Sequence, residues 1–573
     1  MDKTAFAEVL RERLDAVSVT EGGDAGGLAA SGFASLVRQR LELRVILRED
    51  FPAVLPVILL KTRLTKRIPH VNNVGFVCFD RSSGLIIDRH DPAGVVRQAL
   101  GRALEILEAG LAGRNHQDFI AEFKPTWLDI APAGSAANVY SLVEPQGEVR
   151  MIQAAYGQRG EEGTVELTGF LENPNNLQRW GQAVFGVEPQ LRQAVFVPLN
   201  APVIFRPPPP GREWASQQVR EFLEENLSRE SWLTLRSLLK PDPHLPVLIS
   251  VPRGTDSQAH VAIEPRGVQG KHPLVGKQES QPPVFYTVTR LDRGYLLPRG
   301  GAESDLGSRH ALVVGCGSLG ARVAEMLGAA GIGTLTLVDP DVLTSDNLYR
   351  HLLGAFFIGL PKVVALRADL QFRFPHLQVN PVHAPILDAL RRGLVALETF
   401  DLVVAATGEP TVELELNARL RSLTKAPPTL FTWVEALGLG GHSLLVVPDQ
   451  PGCLECLVCP STHPETPLYN RASFAAPRQP KDLGRDLDGC GGVFTPFSAL
   501  DASRTAEMAT RMALRFLEGR LALSQLESWR GDPERFADAG FAVGERSHVA
   551  AEHPILQGRV FARSDCPTCG ERK

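Results

Sequence analysis

The sequence predicts an α/β protein in three parts: a mixed α+β domain, a connecting domain, and a C-terminal parallel sheet built from βαβ units. Three observations predict it. A glycine-rich turn follows an apolar run in the last part, strand and helix patterns alternate behind it, and an amphipathic helix closes the first part. At 573 residues the chain is too long for a single core and should divide into about three or four domains.

Residues 1–120 open on a helical period that mixes acids and bases, MDKTAFAEVLRERLDAV. Strands are expected around Leu41 to Leu47 and Val57 to Thr62, followed by a loop carrying Cys78. The helix VVRQALGRALEILEAG then puts Val95, Ala99, Leu104 and Leu107 near one face. From 121 to 285 the periodicity weakens and proline rises, with FRPPPPGREW between Phe205 and Trp214. Consecutive prolines favour extended geometry and stop a helix. The apolar runs AVFVPLN and PVLISV argue against disorder, so this part reads as a connecting domain without chemistry of its own. Residues 286–573 begin their alternating pattern at HALVVG. No repeat of solenoid length appears.

Composition narrows the function. Hydrophobic content of 44% and charged content of 22% are ordinary for a globular protein, and a net charge of −5 leaves no nucleic-acid footprint. Lys61 to Arg67, KTRLTKR, the most basic local stretch, reads as a solvated strand edge, with a binding patch as the alternative. The N-terminus lacks the apolar core of a secretory signal, and the apolar run Val54 to Leu60 is far too short for a membrane span. A cytoplasmic protein is expected, in which cysteine means metal binding or chemistry rather than disulfides.

The segment ALVVGCGSLGARVAEMLGAAGIGTLTLVDPD is the most informative. Its strand Ala311 to Val314 runs into Gly315-x-Gly317-x-x-Gly320, then a helix, then the strand Thr334 to Val338. Such glycines permit a tight turn and let backbone N–H groups approach phosphate. Asp339 ends the second strand, where a carboxylate can hydrogen-bond a ribose hydroxyl. This much suits a nicotinamide dehydrogenase or any nucleotide binder. Asp341, Asn347, Arg350 and Lys362 follow, and two cations there suit an enzyme that splits ATP between its α- and β-phosphates. No GxxxxGK[ST] loop occurs, which disfavours a P-loop kinase or ATPase.

The run Gly315 to Lys362 resembles the adenylation site of the ubiquitin-activating superfamily, including the bacterial ThiF- and MoeB-like enzymes. Their GxGxxG, DxDxVxxSNLxR and GxxK elements are met by Gly315, Gly317, Gly320, Asp339, Asp341, Asn347, Arg350, Gly359 and Lys362. The resemblance implies a Rossmann-like fold, ATP with Mg²⁺, and a reaction that joins a protein's C-terminal carboxylate to AMP. The family's Mg²⁺-binding Asp is replaced here by Gly408 in AATGEP, which leaves Glu409 as the candidate carboxylate. Arg299 is matched to the family's phosphate-contacting arginine.

Two CxxC pairs, in GCLECLVC and DCPTCG, provide Cys453, Cys456, Cys566 and Cys569, a four-thiolate set of the kind tetrahedral Zn²⁺ requires; Cys459 is left spare. MoeB-like proteins place CxxC pairs at these two points. Cys316 reads as a small side chain within the glycine turn. Cys490 sits on a glycine-flanked loop before an amphipathic helix, where the helix dipole favours thiolate. Thioester-forming activating enzymes keep their nucleophile in a comparable loop.

In the first part, Phe51-Pro52 with Pro56, His70-x-Asn72, and Gly75-Phe76-Val77-Cys78 resemble the proline segment, HPN motif and active-site turn of a ubiquitin-conjugating enzyme. Val71 replaces the usual proline. The resemblance implies a catalytic Cys78, with Asn72 as oxyanion stabiliser. The order of parts is similar to the fusion protein of bacterial CBASS antiphage operons. That similarity implies adenylation of a partner's C-terminal tail, either a cGAS-like nucleotidyltransferase or a ubiquitin-like modifier. A thioester relay from Cys490 to Cys78, ligation to target amines, and a homodimer would follow. A sulfur-carrier adenylyltransferase of thiamine or molybdopterin type and a non-catalytic adaptor with a degenerate conjugating-like domain are the alternatives.

Overall fold

A computed structural model describes residues 1–573 except 22–26, 81–83, 131–138, 159–164, 175–179, 182–183, 206, 211, 213, 255–256, 277–280, 303–305, 461–467, 487–492, 495 and 571–573. The chain packs as two compact units, Met1–Arg293 and Gly294–Lys573. Among the described residues no helix is long and apolar enough to cross a membrane.

The first unit opens with α1 (Lys3–Arg11), capped by the Asp2 side chain, which accepts from Ala5 N. An antiparallel sheet follows in the order β1 (Asp15–Glu21), β2 (Leu28–Leu36), β3 (Gln39–Leu47), β4 (Val57–Leu60). Alternation on β3 buries Leu41, Leu43, Val45 and Leu47 against α2 (Pro92–Ala112). That helix starts on an Asp91 cap with proline in its first turn and ends on Gly113 in the left-handed region; Val95, Ala99, Leu104 and Leu107 are all buried.

The same unit contains a closed barrel, in the order β10-β11-β5-β7-β6-β8-β9. Its strands are β5 (Val139–Ser141), β6 (Arg150–Gln158), β7 (Val165–Leu171), β8 (Val187–Pro198), β9 (Val247–Pro252), β10 (Gln258–Arg266) and β11 (Gln281–Arg290). Phe123 and Trp127 of α3 (Phe123–Asp129) enter the aromatic cluster of the barrel, with the Trp127 and Phe285 ring centroids 5.0 Å apart. Phe205 and Trp214, which flank the prolines, lie 4.9 Å apart in the same cluster. Two buried aromatic anchors therefore staple the proline run at both ends. Arg67 holds it from the other side, donating through Nε to the Pro208 carbonyl at 3.1 Å. The solvated-edge reading of Lys61 to Arg67 is thus corrected at Arg67, whose side chain is only 7% exposed. Carbonyls of an extended proline run have no intrachain hydrogen bonds, and a guanidinium N–H supplies one here.

The second unit is built on an eight-stranded sheet. Its parallel part runs in the order β14 (Gln378–Val382), β13 (Thr334–Val338), β12 (His310–Val314), β15 (Leu402–Ala405), β16 (Thr429–Val434). The antiparallel strand β17 (Gly440–Val446) and the strands Gln525–Arg530 and Ile555–Gln557 complete it. From Ala311 to Val314 β12 is apolar and buried because both faces are covered; His310, at its start, is half-buried. Ala311 and Val313 join the cluster under α4 (Ser318–Ala329) and the helix Ala499–Leu517, while Leu312 and Val314 join the opposite one. The first strand, β12, lies between β13 and β15, so the connections diverge at the carboxyl ends of β12 and β15. That is the topological switch point where such sheets bind ligands.

Candidate active sites

At the switch point the glycines have separate duties. Gly315 has φ +86°, and a Cβ there would lie 2.5 Å from the Ala406 carbonyl oxygen, so only glycine lets the two loops meet. A Cβ on Gly317 would meet nothing within 4 Å, which leaves open space at the N-terminus of α4. The first-turn N–H groups of a twelve-residue helix face that space, the usual setting for a bound phosphate. Asp339 is buried and accepts from Cys316 N (2.6 Å) and Asp341 N (2.8 Å). Burial pushes its carboxyl up, against these bonds. A carboxylate has about four acceptor positions, so capacity for ribose hydroxyls remains.

The crossover after β13 gathers the cations. Lys362 begins α5 (Lys362–Arg373) and pairs with Asp341 at 2.7 Å, its side chain 9% exposed. Asn347 shapes the turn: its Oδ1 accepts from Thr344 N and Oγ1, and its carbonyl from Arg350 N and His351 N. The Arg350 carbonyl accepts from Ser318 Oγ and from Arg322 Nη2, and the Arg350 guanidinium lies 5.8 Å from the Phe497 ring centroid. His351, which the sequence reading did not single out, is the keystone. Its Nδ1 accepts from Leu353 N at 3.1 Å, so Nε2 carries the proton and donates to the Cys316 carbonyl at 2.8 Å. Burial, then the fields of Lys362, Arg322 and Arg350, lower it to about 4. The histidine is a neutral wedge between the phosphate turn and the cation loop.

Across the switch point, Glu409 is exposed where α6 (Pro410–Ser422) begins, and its N–H donates to Thr407 Oγ1. Glu413, also unmarked by sequence, is buried and accepts from Thr407 N (2.9 Å) and Oγ1 (2.8 Å). Burial raises it to about 7. Glu409 is thus the solvent-facing carboxylate of this loop and Glu413 its internal brace. Cys316 is buried, and burial pushes its thiol well up. Arg299 is exposed at the end of the helix Arg293–Arg299, its guanidinium 4.3 Å over the ring of Tyr295 in the same helix.

Cys453, Cys456, Cys566 and Cys569 converge from the two CxxC pairs, with all four Sγ atoms within 4.8 Å of one another. Contacts of 3.9 Å (Cys453–Cys456), 3.7 Å (Cys453–Cys566) and 3.3 Å (Cys456–Cys569) fit tetrahedral thiolates around a metal with bonds of about 2.3 Å, whose sulfurs sit about 3.8 Å apart. The set can hold a metal ion. Cys459 instead accepts from Arg563 at 3.5 Å.

In the first unit, Cys78 is exposed at the end of a short hairpin. Val71 and Val77 form a bridge, and Cys78 N donates to the His70 carbonyl at 2.8 Å. Asn72 builds the tip: its Oδ1 accepts from Val74 N (3.1 Å) and Phe76 N (2.9 Å). His70, at φ +66°, is gripped by carboxylates. Its Nδ1 lies 2.6 Å from Glu122 Oε1, its Nε2 3.0 Å from Asp118 Oδ2, and its N–H donates to Glu122 Oε2. Both ring nitrogens must donate, and the Glu122 bond leads in raising His70 to about 9. Cys490 lies outside the described residues. The helix Ala499–Leu517 that follows it is capped by Ser498 and Asp501.

Comparisons with known proteins agree with this layout. Residues 293–526 match the model of the ThiF family, and residues 34–133 match that of Prokaryotic E2 family B. A Pseudomonas aeruginosa (strain BWHPSA011 / Pa011) protein named ATP-dependent ubiquitin transferase-like protein Cap2 is 24% identical over 477 residues, 80% of this chain and 81% of its own length. A Vibrio cholerae protein of the same name is 28% identical over 41% of this chain and 40% of its own length. The Escherichia coli (strain K12) molybdopterin-synthase adenylyltransferase is 39% identical over 19% of this chain and 43% of its own length.

Proposed function

We propose, on the premise that this chain is a fused ubiquitin-activating and ubiquitin-conjugating-like enzyme that adenylates with ATP, that it relays a partner protein's C-terminus through two thiols. The expected parts, residues 1–120, 121–285 and 286–573, serve as the conjugating, connecting and activating parts, with the last boundary moved from 285 to about 293 because β11 (Gln281–Arg290) belongs to the barrel. The partner's terminal carboxylate attacks the α-phosphorus of ATP, the bond to pyrophosphate breaks, and an acyl-adenylate forms. The Cys490 thiolate takes the acyl group and AMP leaves. Cys78 receives the acyl group by thiol exchange, and a target amine displaces it as an amide. Each step exchanges one leaving group for a better-placed nucleophile.

The chain's own groups have defined tasks in this reading. The α4 N-terminus binds phosphate, Asp339 and Asn347 hold the nucleotide, and Arg350 and Lys362 oppose the charge growing on pyrophosphate. Lys362 leaves Asp341 to do so. Mg²⁺ at the exposed Glu409 and Asp341 carboxylates would supply further charge neutralisation. Asn72 serves chiefly as architect of the Cys78 hairpin; its Oδ1 is occupied by two backbone bonds, so an oxyanion would be served by its amide nitrogen. The four cysteines hold Zn²⁺ as a structural clamp. Exposed Tyr349, Phe356 and Phe372 on and after the cation loop support a homodimer that covers them. The partner is the C-terminal tail of a cGAS-like nucleotidyltransferase or a ubiquitin-like modifier.

The observation that carries the reading is one chain uniting a cation-rich phosphate turn with an exposed cysteine on a braced hairpin. A Cys78→Ala variant tests it: partner adenylation and loading on Cys490 should persist while conjugates to target amines vanish. Conjugation at the native rate would refute the Cys78 role. The similarity to a molybdopterin-synthase adenylyltransferase favours a second reading, sulfur transfer, which intact mass would reveal as a thiocarboxylate product.

A further inference from the structure

A cavity of about 620 Å³ in the first unit lies between the Lys61–Ile68 stretch and the hairpin tip Asn72–Gly75, with Pro210 and Arg212 on its rim. Its chemistry is lopsided. Asp129 is the carboxylate among the described lining residues, and it is already engaged, 3.6 Å from Arg67 and accepting from Asn73 N at 3.1 Å. Arg67 is equally committed. It donates to the carbonyls of Pro208 and Asp129 and to Asn73 Oδ1 at 2.6 Å. The exposed cations that remain are Lys61, Arg63, Lys66 and Arg212. Arg63 and Lys66 donate to backbone carbonyls, of Pro210 at 3.5 Å and Leu111 at 3.3 Å. Among the described residues no carboxylate pairs with any of the four. Leu60, Leu64, Ile68 and Val71 give the cavity an apolar lining.

We infer that this cleft docks an acidic, partly apolar peptide segment of the protein whose lysine is modified, so that lysines flanked by Asp or Glu are preferred. Uncompensated cations over an apolar lining suit carboxylate side chains interspersed with aliphatic ones, and they speed encounter with an acidic partner. Nucleic acid fits less well. The described lining residues include no aromatic ring on which a base could stack, and the buried Arg67 guanidinium is already consumed. Position supplies the link to chemistry. The tip that walls the cleft belongs to the hairpin that ends at Cys78. Cys78 stands opposite His70, two strand positions from Asn72, or about 7 Å along the chain. A peptide seated here brings a neighbouring lysine to the thioester. The inference rests on the transfer role proposed for Cys78.

Binding is measured by fluorescence anisotropy on the full chain carrying Cys78→Ala, which separates docking from transfer. The probe is a labelled peptide with Glu and Leu residues around one lysine. We expect saturable binding that weakens with salt, falls by about tenfold or more when Glu is changed to Gln, and falls similarly in Lys61→Glu/Lys66→Glu. Arg212→Glu, on the rim rather than in the Lys61–Ile68 stretch, should weaken it too, which guards against one misfolded variant deciding the matter. Equal affinity for the Gln peptide, unchanged affinity in both variants, or tighter binding of a single-stranded oligonucleotide that displaces the peptide overturns the inference. Loss of the relay itself would show separately, as a native protein that binds the peptide but forms no thioester on Cys78.

Discussion

His70 and His351 brace the two candidate sites in opposite charge states, and their surroundings say why. His70 faces Glu122 and Asp118 with both ring nitrogens and is held as an imidazolium, raised to about 9. His351 is buried between a backbone donor and a backbone acceptor, within the field of three cations, and is held neutral, lowered to about 4. In the second unit, positive charge belongs to lysine and arginine heads, and histidine is a spacer that fixes two loops. In the Cys78 hairpin, histidine is itself the cation, and acidic side chains fix it. One residue type serves two architectures because burial and neighbouring charge decide its proton.

This contrast can be broken or sharpened in steps. The largest effect is expected from Lys362→Ala, which removes a cation proposed to oppose charge on the departing pyrophosphate. ATP–pyrophosphate exchange should drop by about 10²–10³-fold, comparable with removing one preorganised donor to developing charge. Treatment with a strong chelator, which would remove the Zn²⁺ proposed for the four cysteines, should follow. It should lower the unfolding midpoint of the second unit by an amount equivalent to several kcal/mol and leave that of the first unit in place. Cys566→Ser should reproduce the shift without chelator.

The histidines give the sharper pair, because their pH effects have opposite sign. For His351 the folded value lies below the ordinary 6.5. The unfolded chain therefore takes up a proton that the folded one refuses. Stability of the second unit should be intact above about 6.5 and decline as pH falls toward about 4, by up to roughly 3 kcal/mol. For His70 the folded value lies above 6.5. Its contribution is complete below about 6.5 and fades as pH rises through about 9, worth about 1–2 kcal/mol after discounting for solvent screening. Thermal unfolding across pH, with His351→Gln and His70→Gln as references, measures both slopes. Slopes of the same sign in the two units would abolish the comparison.

The sequence made the second unit far more legible than the first. Gly315, Gly317, Gly320, Asp339 and Lys362 sit within one contiguous run, where spacing alone states the geometry. The four cysteines announce themselves by chemistry despite their separation. His351 and Glu413 gave no signal because their roles lie in bonds to backbone atoms, which leave no residue pattern. The strands β1 and β2 escaped notice because β2 buries Ala30 and Ala34 rather than bulky side chains. Its Gly32 lies so close to Leu14 that an added Cβ would be 3.0 Å away, so small residues were required where the period should have shown. The barrel was hidden for another reason. Its aromatic core draws on α3 and on both flanks of the proline run, segments whose local pattern reads as linker.

The central claim is that ATP is consumed here to activate a protein's C-terminal carboxylate. Exchange of labelled pyrophosphate into ATP, with the purified chain and its partner, tests it most directly. The account predicts exchange that depends on the partner's free C-terminus and disappears when that terminus is amidated. Exchange that ignores amidation, or none with the free tail, would contradict it.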